Sequence, residues 1–486
     1  MSIKVFNTLT KNKEELNPRD PGKVSMYVCG PTTYNYIHLG NARPLIVFDT
    51  VRRYLKYRGY QVTYIQNFTD IDDKIINRAH EEGETPKELA EKYIQAYFED
   101  ADALHVLRAD VHPKVTEHMD EIIQMVQGIV EKGHAYEVHG NVYFDVRSFS
   151  AYGHLSGRDL DEMKSGARVD VDDEKHDPLD FALWKAAKQG EPSWPSPWGP
   201  GRPGWHIECS AMSLKYLGPG FDIHGGGADL IFPHHENEIA QTEAYSGQPF
   251  VRYWLHNGFI TVNEEKMSKS LGNFFLVRDI LKKFPSDVVR FYLLSTHYRS
   301  PLDFDDQKLH VAEKGLERIR TSLRLTESTL TLCKKAQEAG QADTEQMMDK
   351  MAQCKSAFIE AMDDDFNTAL AIAAVFDFCR EVNSFINDHN FKPGKNALPV
   401  LLQISEIFEN FHSVLGMVKP APESCSGDEG LEDKLMEIII NIRQEARGKK
   451  DWTTADIIRD QLKDTGIVLE DTPHGVRWKK IDGDHE

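Results

Sequence analysis

The chain has no long apolar run. Nowhere do its 486 residues approach the roughly twenty consecutive apolar positions that cross a bilayer. A membrane-spanning helix is therefore not expected. The segment from Met1 to Asp20 is polar and charged. It lacks the apolar centre of a secretory leader, so a cytoplasmic setting is expected. Cysteine is scarce, with six residues, Cys29, Cys209, Cys333, Cys354, Cys379 and Cys425. That number in so long a chain excludes the dense disulfide framework of small secreted domains. For the last four, reduced and buried thiols are expected. There is no internal repeat and no low-complexity tract. Positive charge is also short: 57 Lys and Arg face 77 Asp and Glu, for a net charge of -20. A globally basic surface for phosphates is excluded, and a nucleic-acid partner would have to meet a local basic face.

What is present is ordinary globular composition in a chain too long for one compact domain, so three or four units are expected. Lys23 to Cys29 reads as a strand ending in the turn Gly30-Pro31-Thr32. A helical pattern runs through Leu45, Ile46, Phe48, Val51 and Leu55 and stops at Gly59. Gln61 to Phe68 reads as a second strand, after which Thr69 or Asp70 caps a further helix. This β-α-β unit opens a parallel, nucleotide-binding sheet. Residues from about Val115 to Pro203 mix helix and strand signals and interrupt that sheet. Their end, Glu191 to Gly204, is rich in Pro, Gly and Trp and reads as loop. Sheet-like sequence resumes at Trp205 to Ser210 and at Phe221 to Gly227. From Gln307 the chain turns helical.

Two segments suit a nucleotide. His38-Leu39-Gly40-Asn41 lies at the mouth of the first strand-loop-helix. A helix start offers free N–H groups and a positive dipole end to phosphate. Gly40 lets a nucleotide approach the backbone, and His38 can donate as charge develops. Lys266-Met267-Ser268-Lys269-Ser270 follows the strand-like Phe259 to Val262. Its two lysines are mobile point charges suited to phosphates that move during reaction. Either segment alone reads more readily as a polar loop. Together, in this order and around this sheet, they resemble the two signature motifs of class I aminoacyl-tRNA synthetases. The second matches the KMSKS pattern throughout. The first departs from HIGH, with Leu39 for Ile and Asn41 for the last His. Asn41 can donate a hydrogen bond but cannot become charged.

A second constellation is rich in metal-ligand residue types. Cys29 ends the first strand, and Cys209 sits in Trp205-His206-Ile207-Glu208-Cys209. His234 and Glu238 are four apart, on one face of a helix beginning after Pro233. Two thiolates from strand ends at the carboxyl edge of a sheet, with an imidazole and a carboxylate from one helix, make a zinc site. On residue types alone, two buried thiols and a capping His/Glu pair account for the same pattern. His235 is expected to point elsewhere on its helix. His224 to Asp229 is Gly-rich without being a dinucleotide fingerprint, and Asp229 can accept from ribose hydroxyls.

Cys29 to Thr32, Asn67 to Lys74, Trp205 to Met212, His224 to Gly227, Phe232 to Glu238 and Asp363 to Thr368 resemble the cysteinyl-tRNA synthetase family. The likeness extends from about Phe6 to the C-terminus. It implies one zinc ion per chain, held by Cys29, Cys209, His234 and Glu238, with Trp205 walling the substrate pocket. It implies ATP-dependent activation of L-cysteine as the adenylate, with Mg2+, and transfer to the 3' end of tRNA(Cys). His38, Asn41, Lys266 and Lys269 would serve the chemistry. Gly40, Lys269 and Asp229 would hold the nucleotide, with Lys269 in direct phosphate contact. Cysteine and serine differ by one atom, which shape discriminates poorly. Zinc prefers a thiolate, so no editing domain is expected.

The same resemblance makes the C-terminal unit a reader of the anticodon. Arg443, Arg447, Lys449 and Trp452 interleave cations with an aromatic, as phosphate contact and base stacking require. A solvated helix face with Trp452 in a small core explains them equally on residue types alone. The expected architecture is α/β. A Rossmann-type catalytic domain spans 1–250 with its insertion at about 115–203, and a linking region with the lysine loop spans 251–306. A helical bundle over 307–419, a linker at 420–430 and a small anticodon-binding domain at 431–486 complete a monomer with no membrane contact. Three rivals remain: a cysteine-activating ligase acting on a small amine, which would lack the C-terminal unit, a zinc hydrolase, which would need no lysine loop, and a non-catalytic tRNA-binding protein, against which the full motif set argues.

Overall fold

The computed structural model describes residues 2–160, 174–262, 265–266, 275–417, 429–472 and 475–480. The chain forms two compact units. One comprises Met1–Leu316, Ser356–Ala373 and Phe411–Met417, and the other Glu317–Lys355, Ala374–Asn410 and Val418–Glu486.

The first unit opens with a hairpin of β1 (Lys4–Asn7) and β2 (Asn12–Glu15). There follow β3 (Lys23–Val28), α1 (Leu39–Tyr57) and β4 (Gln61–Gln66), the expected β-α-β unit. Helices α2 (Asp73–Glu82) and α3 (Pro86–Ala103) come next. Asp72 caps α2 by accepting from the Lys74 N–H at 2.9 Å. Thr69 and Asp70, the expected caps, are engaged elsewhere. The Thr69 hydroxyl donates to Glu208 at 2.9 Å, and Asp70 accepts from the backbone and hydroxyl of Thr116.

The interruption holds α4 (Met119–Glu131) and an antiparallel sheet of β5 (Ala135–Val138), β6 (Asn141–Phe144), β7 (Phe181–Ala186) and β8 (Gly201–Pro203). The short β8 lies inside the stretch read as loop. The main sheet resumes with α5 (Ile207–Leu217), β9 (Phe221–Gly227), α6 (Glu236–Ser246) and β10 (Val251–Asn257). Its order is β10-β9-β3-β4, and every pairing is parallel. Trp205 to Ser210 is thus not strand; most of it is the first turn of α5. Six residues alternating apolar and polar are too few to exclude a helix start, and Ala211, Met212, Leu214 and Lys215 extend the segment as helix formers.

A second small sheet contains β11 (Ile260–Val262), β12 (Glu265–Lys266) and β13 (Leu302–Phe304). Short helices α7 (Val277–Leu281) and α8 (Ser286–Leu294) lie before β13, and α9 (Asp306–Lys335), α10 (Thr344–Asp363), α11 (Thr368–Ile386) and α12 (Leu398–Leu415) follow it. The expected bundle does not stand as one block, because residues 356–373 and 411–417 cluster with the catalytic sheet. Polar contacts explain this: the Tyr54 hydroxyl donates to Asp363 at 2.6 Å, and Asp365 accepts from the Phe6 N–H at 2.8 Å and from Arg299 at 2.7 Å. In the second unit, Phe378 meets Phe408 edge-on at 5.0 Å. That unit ends in α13 (Glu429–Gly448), α14 (Trp452–Asp464) and a hairpin of β14 (Ile467–Thr472) and β15 (Gly475–Lys480). Among the described residues no helix is long and apolar enough to cross a membrane.

Candidate active site and metal centre

The site forms at the carboxyl edge of the main sheet. Cys29 follows the last residue of β3, and the chain then turns sharply. Gly30 donates its N–H to the Asn67 side-chain oxygen at 2.9 Å. A Cβ at Gly30 would fall 1.6 Å from the Asn67 carbonyl oxygen, so no other residue fits there. Cys209 is buried in the first turn of α5. His234 lies in a segment, Ile231–His235, that is kinked at Phe232 (φ -140°, ψ 133°) and leads into α6 and Glu238.

These four side chains converge. The Cys29 Sγ lies 3.6 Å from the Cys209 Sγ, 3.6 Å from His234 Nε2 and 3.4 Å from Glu238 Oε1. His234 Nε2 and Glu238 Oε1 are 3.0 Å apart. All four ligand atoms lie within 4.8 Å of one another. Tetrahedral zinc, with metal–sulfur contacts of about 2.3 Å and metal–nitrogen or –oxygen contacts of about 2.1 Å, sets S···S edges of about 3.8 Å, S···N and S···O edges of about 3.6 Å and an N···O edge of about 3.4 Å. The residues therefore fit the ion. Two sulfurs, an imidazole and a carboxylate are also a donor set that suits zinc.

The cluster is strongly coupled electrostatically. Burial works against the Glu238 charge, yet His224 and His234 prevail and hold its carboxyl down at about 2. Burial likewise opposes a charged His234, but Glu238 and Cys209 raise it to about 10. The hydrogen bond from Cys29 brings the Cys209 thiol down to about 6, against burial. Burial pushes the Cys29 thiol up.

Several histidines that the sequence did not single out surround the donors. His224 Nε2 lies 2.8 Å from the second Glu238 oxygen, and its ring stacks on Trp254 with centroids 4.5 Å apart. His206 Nδ1 is 2.9 Å from His234 Nδ1. His235 does not point away as expected: its Nε2 is 3.4 Å from the Cys29 Sγ. His235 lies three residues before Glu238, so the two also neighbour each other on the helix surface, and His235 reaches the same cluster. His235 Nδ1 contacts His256 Nε2 at 2.7 Å, and His256 Nδ1 contacts the Thr8 hydroxyl at 2.8 Å. The available signal was local enrichment: His206, His224, His234, His235 and His256 fall in one short stretch.

Beside the donors opens a cavity of about 380 Å³, lined by Cys29, His38, Gly40, Asn41, Trp205 and Asp229 among others. Trp205 is partly exposed, with its ring 4.4 Å from that of His234. His38 is the N-cap of α1. Its backbone N–H donates to Asn41 Oδ1 at 3.2 Å, so Asn41 supports the motif's own turn as well as facing the cavity. Phe275 to Val277, just beyond the lysine loop, pairs with this turn: Leu39 N–H donates to the Phe275 carbonyl at 3.0 Å, and Val277 N–H to that of Ile37 at 3.1 Å. Of the loop itself, Lys266 is described as backbone, paired with Thr261. Lys269 lies outside the described residues.

The catalytic-domain family of class I (C) tRNA synthetases matches residues 15–314, a DALR domain matches 357–419, and a cysteinyl-tRNA ligase anticodon binding domain matches 437–478. The cysteine–tRNA ligase of Pelotomaculum thermopropionicum is 63% identical over 486 residues, covering 98% of this chain and 100% of that protein. That of Desulforamulus reducens is 62% identical, with the same coverage. The chain belongs to the cysteine–tRNA ligase family. It is an enzyme that activates cysteine with ATP and charges tRNA with it. The ligase also shares its fold with Mycobacterium tuberculosis methionyl-tRNA synthetase bound by methionyl-adenylate, at a TM-score of 0.60 and 15% identity, over 81% of this chain and 88% of that one.

At the tRNA-binding end of the ligase, the expected contacts divide. Arg443 is buried at 6% exposure, on the same face of α13 as Met436 and Ala446, so its guanidinium does not offer itself to a phosphate. Arg447 and Lys449 are exposed, Lys449 pairing with Glu445 at 2.6 Å. Trp452 is 58% exposed at the start of α14 rather than in a small core.

Proposed function

We propose that this ligase recognises its amino acid through one zinc ion held by Cys29, Cys209, His234 and Glu238. The observation that carries the reading is the three separations from the Cys29 Sγ and the one between His234 and Glu238, which fall within about 0.4 Å of tetrahedral zinc edges. A bound zinc ion supplies a Lewis acid that prefers a thiolate and lowers a thiol's pKa, so a serine hydroxyl is a far weaker ligand. His224 orients the Glu238 carboxylate, and His206 orients the His234 ring. Trp205 walls the side-chain pocket and excludes water from it.

His38, Lys266 and Lys269 stabilise charge on the ATP phosphates while the cysteine carboxylate displaces pyrophosphate. Mg2+ accompanies the nucleotide. Gly40 lets ATP approach α1 closely. Asn41 holds the His38 turn, and Asp229 accepts from the ribose. No enzyme nucleophile is needed in either step. Arg447, Lys449 and Trp452 form the anticodon-reading surface of a cytoplasmic monomer, the first two by charge and the last by stacking. The domain plan that goes with this reading is a catalytic domain over 1–250, a lysine-loop region over 251–306, a helical region over 307–419 of which residues 356–373 and 411–417 cluster with the catalytic unit, a linker and an anticodon domain over 431–486.

Cys209→Ser tests the reading. Zinc content and cysteine-dependent ATP–pyrophosphate exchange should be lost together. A variant that keeps one zinc per chain and normal exchange refutes the assignment.

A further inference from the structure

The mechanism above makes no use of one fully buried charge, that of Arg43. It lies on α1, two residues past Asn41, with 0% exposure. Among the described residues it has no carboxylate partner. Its Nη1 donates to the Gly258 carbonyl at 2.9 Å and to the Phe259 carbonyl at 2.7 Å, and its Nη2 donates to the Ser300 carbonyl. Its Nε has no acceptor. A guanidinium buried without a counter-charge costs more than an apolar side chain of the same size. Filling space does not account for it, whereas directed donation to three carbonyls from one rigid fork does.

Those carbonyls occupy a junction. Gly258 and Phe259 join β10 of the main sheet to β11, which pairs with β12 and so with Lys266. Ser300 precedes β13, the other neighbour of β11. The junction is tight, since a Cβ on Gly258 would lie 2.5 Å from the Ser300 carbonyl oxygen. Gly258, Phe259 and Ile260 line the same cavity as His38, Gly40 and Asn41, whereas Arg43 does not touch it. The first two turns of α1 therefore hold both arms of the lysine loop. Ile37 to Leu39 pair with the outgoing arm at Phe275 to Val277, and Arg43 clamps the base of the incoming arm.

We infer that Arg43 is a positioning residue for adenylate formation, setting the separation between the His38 turn and the strand that carries Lys266. It acts through backbone carbonyls and not on the substrate. The inference rests on the assignment of His38 and Lys266 to the phosphates. It predicts a loss in the chemical step without loss of metal or amino-acid recognition, because misplacement by about 1 Å costs on the order of 100-fold in rate.

The test uses the full-length, zinc-loaded enzyme and compares Arg43→Met, Arg43→Lys and His38→Ala in cysteine-dependent ATP–pyrophosphate exchange. Zinc content and thermal midpoint are measured alongside. Arg43→Met should keep zinc and the KM for cysteine, lose about 100-fold in kcat and raise the KM for ATP several-fold. Arg43→Lys, which keeps charge and donors without the fork, should recover part of the kcat. A folded Arg43→Met with kcat within threefold of the parent overturns the inference, as does a cysteine KM that rises in step with the loss. If Arg43→Met does not fold, Arg43→Lys decides, and an unchanged kcat overturns the inference. His38→Ala separates the underlying assignment: full exchange in that variant strikes the role of His38 and not the clamp.

Discussion

His224→Phe isolates the support of the proposed metal centre from the centre itself. The His224 ring stacks on Trp254 at an interplanar angle of 19°, and phenylalanine can keep that stack and most of the volume. What it removes is the contact to the outer Glu238 oxygen at 2.8 Å. Glu238 is fully buried, so that oxygen has no water to turn to. A buried acceptor left without its donor costs about 1–3 kcal/mol, and more when it is charged. Loss of an outer partner of a metal ligand weakens metal affinity about 10–100-fold, which corresponds to about 1.4–2.7 kcal/mol. The two routes agree, and the expected result is a zinc dissociation constant raised about 10–100-fold. Competition with a chromophoric chelator measures it directly. At limiting zinc the KM for cysteine should rise, while the KM for ATP, whose groups lie elsewhere in the cavity, stays put. An unchanged zinc affinity in a folded variant would refute the reasoning, because the Glu238 carboxylate would then be oriented without His224.

Two further outcomes are expected. Trp452→Ala should raise the KM for tRNA about tenfold, the worth of one stacked base, and leave pyrophosphate exchange and thermal stability unchanged; equal charging kinetics would remove Trp452 from the interface. His112 lies against Phe68 and Phe98, its Nδ1 is 3.0 Å from the Gln66 carbonyl, and its Nε2 accepts from the Ala109 N–H. Burial lowers its pKa to about 4. Since the folded value lies below the unfolded one of about 6.5, the unfolded chain binds the extra proton in that window, and stability is lost as pH falls from about 6.5 toward 4. His112→Asn should remove about 2 kcal/mol of the stability difference between pH 7 and pH 5. Urea melts at the two pH values check this, and an undiminished difference would contradict it.

Much of the site was legible in the residues. Motif order around the first β-α-β unit pointed to a nucleotide, and the i, i+4 spacing of His234 and Glu238 put them on one face. The strands Lys23–Val28 and Phe221–Gly227 appear within the segments read as strand or sheet-like. The misses share a physical cause. Cys209 was read as strand because Trp205 to Ser210 alternates apolar and polar residues over too few positions to reveal the helix that continues to Leu217. Thr69 and Asp70 were read as caps because local rules do not know that Glu208 and Thr116 claim their side chains. Arg443 was read as a tRNA contact because its side chain looks alike in sequence on either face of a helix.

By itself, then, the sequence determined the chemistry on offer: which metal-ligand residue types and which lysine-rich motif the chain carries, and that a parallel sheet edge opens beside the first β-α-β unit. Those follow from local periodicity and covalent identity, which neighbours do not alter. Tertiary structure alone decided distance and burial. It set two thiols 3.6 Å apart across an interval of 180 residues, turned His235 toward Cys29, and sealed Arg43 against three carbonyls. The reason is that such separations depend on how whole elements pack, and packing is the joint property of residues far apart in the chain.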